Sequence, residues 1–162
     1  MNKVIASPQA AIADLADGSS IALAGFGVAH RYPTSLLAAL RDSKATDLCL
    51  VSNTLGVNDV RHELMVAGRV SRLIVCFAPR PGEPAIDEAL ASGRLRVELV
   101  PQGTLVERCR AAGAGIPAFY TPTSAGTLVA AGKDVRYFDG KPYVLERWLP
   151  LDYAFVRAYR AD

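Results

Sequence analysis

Asn53 and Gln102 each stand just beyond an apolar, strand-like run, and Gly25-Phe26-Gly27 closes another. Two amide side chains and a turn of open backbone donors can polarise a carbonyl or hold an oxyanion, but they cannot act as nucleophiles. One well-placed oxyanion donor is worth about 3–4 kcal/mol of barrier. Each residue also has a plainer reading. Asn53 is a natural turn former at a strand end, and Gln102, after Pro101 and before a helical pattern, can simply cap that helix. The run Gly25 to His30 does not complete a dinucleotide fingerprint, because its sixth position is His30 rather than glycine. No acidic residue near a strand end stands out as a ribose partner, so a nicotinamide-binding domain is disfavoured.

The elements that must hold these residues follow a repeated pattern. Ser7-Pro8 predicts a helix start, with serine as N-cap and proline in the first turn, running through Ala10, Ile12, Ala13, Leu15 and Ala16 to Asp17-Gly18. Ile21–Phe26 reads as a buried strand, and Leu36, Leu37 and Leu40 recur at helical spacing after Pro33. Further strands are predicted at Leu48–Asn53, Arg72–Phe77 and Leu95–Val100. Helices are predicted at Asp59–Ala67, at Ala85–Ala91, and, fed by Pro101-Gln102-Gly103-Thr104, through Leu105, Val106, Cys109 and Ala112. Strand, turn and helix alternate four times, which predicts an α/β fold: a three-layer open, mostly parallel sheet flanked by helices. Its ligand face should lie at the carboxyl ends of the strands, where Gly25–Gly27, Asn53-Thr54, Pro79–Glu83 and Gln102-Gly103 fall. The stretch Gly113–Gly126 reads as a long loop with two aromatics. Val135–Glu146 reads as a C-terminal hairpin turning on Asp139-Gly140, and Tyr153–Tyr159 as a last strand.

Composition narrows the function classes. The 162 residues suit one globular domain, 51% of them are apolar, and the net charge is +2. The basic residues are scattered and read as solvated single charges, so no nucleic-acid partner is expected. Cys49, Cys76 and Cys109 read as reduced thiols, two of them inside apolar runs. His30 and His62 lack ligand-like spacing, so no metal site is expected. No apolar run reaches spanning length, which predicts a cytoplasmic protein without a membrane partner.

Taken together these stretches resemble family I coenzyme A transferases. The blocks stand in that family's order: Asp17-Gly18, Gly25-Phe26-Gly27, Val51-Ser52-Asn53, Pro101-Gln102-Gly103-Thr104-Leu105, Gly113–Thr123 and Tyr143-Val144-Leu145-Glu146. The chain resembles the A (alpha) subunit of a 3-oxoacid CoA-transferase, of the succinyl-CoA:acetoacetate or 3-oxoadipate type, from Met1 to Asp162. The resemblance implies a single alpha-subunit domain over residues 1–162 that lacks the family's C-terminal part. It also implies an enzyme that moves CoA from an acyl-CoA to a 3-oxo acid and works only with a B (beta) subunit. The nucleophilic glutamate is expected on that partner, within a Ser-Glu-Asn-Gly type motif, and CoA is a substrate rather than a resident cofactor. Here Glu83 reads as a loop acid.

Position by position, the resemblance assigns Ala24, Gly25, Phe26, Gly27, Val28, Ala29 and His30 to CoA binding. It assigns Asn53 and Gln102 to oxyanion or carboxylate contacts, and Phe119 and Tyr120 to the pocket between halves. The family's Gly-Gly-Phe-Gly-x-x-Gly-x-Pro differs here at Ala24 and His30 and gains one residue before Pro33, and its second asparagine is Thr54. These departures support an alternative, in which the chain is a degenerate, non-catalytic subunit for binding or scaffolding. A sugar-phosphate isomerase-like domain shares the sheet architecture but would need an acid/base set that the sequence does not supply.

Overall fold

The computed structural model describes residues 3–26, 32–55 and 59–160. In chain order the elements are α1 (Pro8–Ala11), β1 (Ser20–Leu23), α2 (Thr34–Asp42), β2 (Leu48–Ser52), α3 (Val60–Val66), β3 (Val70–Val75), α4 (Pro84–Ala91) and β4 (Arg96–Leu99). They continue with α5 (Gln102–Gly113), β5 (Ala118–Thr121), a 3-10 turn at Leu128–Ala130, β6 (Val135–Phe138), β7 (Lys141–Arg147) and β8 (Tyr153–Phe155). Two compact units form, Met1–Glu98 with Asp152–Asp162, and Leu99–Leu151.

The first unit is the expected α/β sheet, in strand order β4-β3-β2-β1-β8. The pairs β1–β2, β2–β3 and β1–β8 are all parallel. Ile21, Leu50 and Leu73 lie side by side in register, and each is fully buried beneath the helices. They join Leu37 and Leu40 of α2, Leu64 and Met65 of α3, and Ile86 of α4 in one core. Burying each of these side chains stabilises the fold by about 1.5–3 kcal/mol relative to leaving it exposed.

Three expectations shift here. Ser7 does cap α1, its Oγ accepting from Ala10 N at 3.1 Å, but the helix ends at Ala11 rather than near Asp17. Beyond it Leu15 N donates to Ile12 O at 3.0 Å, an i to i+3 turn. No residue of α1 is buried, so tertiary packing adds little to so short a helix. Strand β1 stops at Leu23 instead of Phe26, and β8 stops at Phe155 instead of Tyr159. The two ends are one event, because β8 pairs with β1, and the ladder finishes with Ala24 N donating to Phe155 O at 3.0 Å. Arg69 is not a solvated charge either. It donates to Ala45 O, Arg41 O and Leu40 O at 2.7–3.0 Å, the last two being carbonyls at the C-terminal end of α2.

The start of β8 is stapled to β1. Ser20 N and Oγ both donate to Asp152 Oδ2, at 2.8 and 2.6 Å, and Asp152 N donates to Ser20 Oγ at 3.0 Å. The Ser20 hydroxyl, and then its backbone N–H, hold the Asp152 carboxyl below its usual range. A depressed carboxylate pKa adds stability above the unfolded-state value, and that stability is lost as pH falls through the folded value. Asp152→Ala is therefore expected to speed amide exchange in Tyr153–Phe155 near neutral pH. The difference from wild type should shrink below about pH 4.

The second unit is a three-stranded sheet in order β5-β7-β6, packed on α5. The expected hairpin is present: Asp139 and Gly140 both take positive φ, at 49° and 74°, as a two-residue turn between twisted strands requires. The expected long loop over Gly113–Gly126 is not a loop throughout. Gly113 still belongs to α5, and Ala118–Thr121 is β5, paired antiparallel to β7 with Leu145 opposite Tyr120. Central strand β7 leaves one edge free for β5, which supplies the hydrogen bonds that a loop there would lack.

Candidate functional site

At the carboxyl ends of β1, β2 and β3 in the first unit stand Gly25, Asn53 and Cys76. Asn53 is buried, and its carbonyl accepts from Cys76 N at 3.1 Å, extending the β2–β3 ladder by one step. Burial pushes the Cys76 thiol up, and a hydrogen bond with the Asn53 side chain partly offsets that. Cys76 is thus a protonated neighbour of the amide at neutral pH rather than a thiolate nucleophile. All three cysteines are free thiols. The rings of Phe26 and Phe77, one beyond β1 and one beyond β3, are mostly exposed. Of the candidate CoA-binding residues, Ala24, Gly25 and Phe26 are described, while Gly27, Val28, Ala29 and His30 lie outside the described residues.

Among the described glycines, Gly25 alone has a neighbour crowding the place of a side chain. A Cβ placed on it would meet Cδ1 and Cε1 of Tyr32 at 2.5 Å. Tyr32 cannot swing clear, since its side chain is buried and its ring lies 3.5 Å from the Arg61 guanidinium. Gly25→Ala is therefore expected to destabilise the chain by about 1–3 kcal/mol through overpacking, measured as a lower urea midpoint at unchanged m-value.

In the second unit Gln102 occupies the first position of α5, exposed, behind Pro101 at the N-cap. No side chain caps this end, and Leu105 N is the first to bond back, to Pro101 O at 2.9 Å. The first-turn N–H groups of residues 102 to 104 therefore have no acceptor within the helix. An added Cβ on Gly103 would meet nothing within 4 Å, so a ligand can reach the backbone there. An open cavity of about 500 Å³ adjoins this end, lined by Gln102, Gly103 and Thr104 with Phe119, Thr121 and Thr123. The Thr104 hydroxyl is buried with no hydrogen-bond partner among the described residues. Backbone donors at a helix N-terminus and a free carboxamide suit a carboxylate or a carbonyl oxygen gaining charge.

The structure thus brings Gln102 and Phe119 together and parts Phe119 from Tyr120. Successive strand residues point to opposite faces. Tyr120 turns away from the cavity, donates to Asp134 and packs edge-on to Phe138. Asn53 belongs to the first unit and Gln102 to the second. Glu83 sits at the N-cap of α4, 3.5 Å from His62 Nε2, as a paired loop acid. Sequence reasoning passes over Thr104, Thr121 and Thr123 as cavity-lining residues. For Thr121 the available signal is its strand alternation with Phe119, which reading the segment as a loop conceals. Arg61 is passed over as well, although Asp59-Val60-Arg61 at a helix start offers a pairing signal.

A mostly parallel sheet flanked by helices in the first unit, and an uncapped helix N-terminus at a cavity in the second, define an open α/β protein. The family model described as coenzyme A transferase matches residues 5–162. In Mycobacterium tuberculosis, a protein named as the A subunit of a probable succinyl-CoA:3-ketoacid coenzyme A transferase is 43% identical over 181 residues, covering 100% of this chain and 72% of that one. The A subunit of a 3-oxoadipate CoA-transferase of Pseudomonas putida is 42% identical over 164 residues, covering 100% and 70%. An acyl-CoA transferase of Escherichia coli O157:H7 superposes with a TM-score of 0.78 at 22% identity, over 94% of this chain and 33% of that one, and shares the fold. The chain belongs to the coenzyme A transferase family. Among the described residues no helix is long and apolar enough to cross a membrane.

Proposed function

We propose that this chain is the A (alpha) subunit of a heteromeric 3-oxoacid CoA-transferase, moving CoA from an acyl-CoA donor such as succinyl-CoA to a 3-oxo acid. The observation that carries this reading is the uncapped α5 N-terminus, with Gln102 and open backbone at one wall of a cavity. The names of the M. tuberculosis and P. putida relatives support it. In this reading a glutamate carboxylate from the B subunit's chain attacks the thioester carbonyl. The C–S bond breaks, CoA leaves as thiolate, and an acyl–glutamyl anhydride forms. The thiolate then attacks the glutamyl carbonyl, releasing the donor acid and leaving a glutamyl-CoA thioester, and the 3-oxo acid reverses both steps. Gln102 and the α5 donors stabilise the oxyanion of each addition, and Asn53 is a candidate for oxyanion or carboxylate contacts in its own unit. CoA is a substrate here, and the free thiols fit a reducing, cytoplasmic setting.

Mixing the chain with a competent B subunit is expected to give a complex by size exclusion and 3-oxoacyl-CoA formation that neither chain gives alone. The altered segment before Pro33 favours a second reading, a non-catalytic subunit that serves as scaffold. Complex formation without CoA transfer would decide for that second reading, and no complex at all would remove the transferase reading while leaving a scaffold that needs no B partner.

A further inference from the structure

Arg61 is the largest side chain among the described residues that is wholly buried, and it sits on α3 rather than on any segment read as functional. Its Nε donates to Asp59 Oδ2 at 3.0 Å and its Nη1 to Thr54 O at 2.9 Å, with the Ser52 Oγ beyond at 3.5 Å. The guanidinium lies 3.5 Å from the centre of the Tyr32 ring, and an edge of that ring fills the space beside Gly25. Asp59 itself is the N-cap of α3, accepting from the N–H groups of Arg61 and His62. Gly25, Tyr32, Arg61 and the Ser52–Thr54 turn therefore form one stack across the carboxyl ends of β1 and β2. Tyr32 is also the described residue that ends the lengthened segment after Gly25.

We propose that Tyr32 and Arg61 are a positioning pair for acyl-CoA binding. Their stack locks the exit of β1 to the turn that carries Asn53, so that both present to the ligand at one spacing. The proposal rests on the CoA-transferase reading. The planar fork and flat face of arginine are both in use, and lysine supplies neither while keeping the charge. A ring at position 32 is required for the stack, since the ring supplies both the face under Arg61 and the edge beside Gly25.

The test compares Arg61→Lys, Tyr32→Leu and Tyr32→Phe in the complex assembled with a B subunit. Arg61→Lys and Tyr32→Leu are expected to speed amide exchange in peptides covering Gly25-Phe26 and in those covering Asn53–Leu55, leaving α5 unchanged. Both should raise KM for acyl-CoA about tenfold and leave KM for the 3-oxo acid unchanged. Tyr32→Phe keeps the ring and should raise KM for acyl-CoA less than Tyr32→Leu does. A merely structural role would lower the active fraction, and so kcat, without separating the two substrates' KM values. If Arg61→Lys fails to fold, Tyr32→Leu alone decides. The proposal is overturned if Tyr32→Leu disturbs only its own segment, or if it leaves KM for acyl-CoA at the wild-type value. A wild-type complex that transfers no CoA would sink the transferase reading instead. CoA titration with the same variants would then decide the pair, equal affinities overturning it.

Discussion

Gln102→Ala is expected to lower kcat of the assembled complex by about 10²-fold, the scale on which one preorganised oxyanion donor acts. The side chain stands exposed at the first position of α5 and lines the cavity with Phe119 and Thr121. Truncating it removes a carboxamide donor but leaves the first-turn N–H groups of the helix in place. Some stabilisation of the oxyanion therefore remains, and the loss should not approach that of deleting a nucleophile. Folding stability should stay within about 0.5 kcal/mol of wild type, because only an exposed side chain is being shortened. Steady-state kinetics with both substrates separates the possibilities. A fall in kcat and in kcat/KM together marks an interaction made only in the transition state, whereas a rise in KM alone marks simple binding. An unchanged kcat would remove Gln102 from the chemistry and leave it as the opening residue of a helix.

The second large effect is one of stability. The Glu146 carboxylate of β7 is only 4% exposed and accepts from Lys133 Nζ at 2.6 Å, while Lys133 itself is 28% exposed. Lys133→Met leaves a buried charge without its cation, a loss that typically costs about 3–5 kcal/mol. Water already reaches the lysine end, so the lower part of that range, about 3 kcal/mol, is expected. For a chain of this size that corresponds to a fall of roughly 6–12 °C in Tm. The double variant Lys133→Met/Glu146→Leu should recover most of the loss, since a buried pair replaced whole by apolar groups is close to neutral. Urea unfolding of the three proteins checks both statements. A double variant no better than the single would mean that Glu146 has a role apart from its partner.

Local signals make much of this fold legible in the chain itself: Ser7 before Pro8, leucines at helical spacing in α2, and Asp139-Gly140 between two β-rich runs. Each needs only neighbours within a few residues, and the structure places each where local chemistry puts it. Gln102 behind Pro101, and its position beyond a strand, are visible for the same reason. The resemblance of the blocks then supplies a family that periodicity alone could not. Ala118–Thr121 escapes this kind of reading, because four residues of small and aromatic character say little until β7 offers an unpaired edge.

The order of residues is enough to set the alternation of strands and helices, the parallel sheet that follows from it, and the amide-rich character of the strand ends. Folding in three dimensions was needed to decide that Tyr153–Phe155 joins β1, that Phe119 faces the cavity while Tyr120 does not, and that Arg61 is buried. One cause runs through all three. Strand edges, cavity walls and desolvated charges are made by partners that local pattern does not bring together. An arginine on a short helix reads as a surface charge until Tyr32, Thr54 and Asp59 close around it.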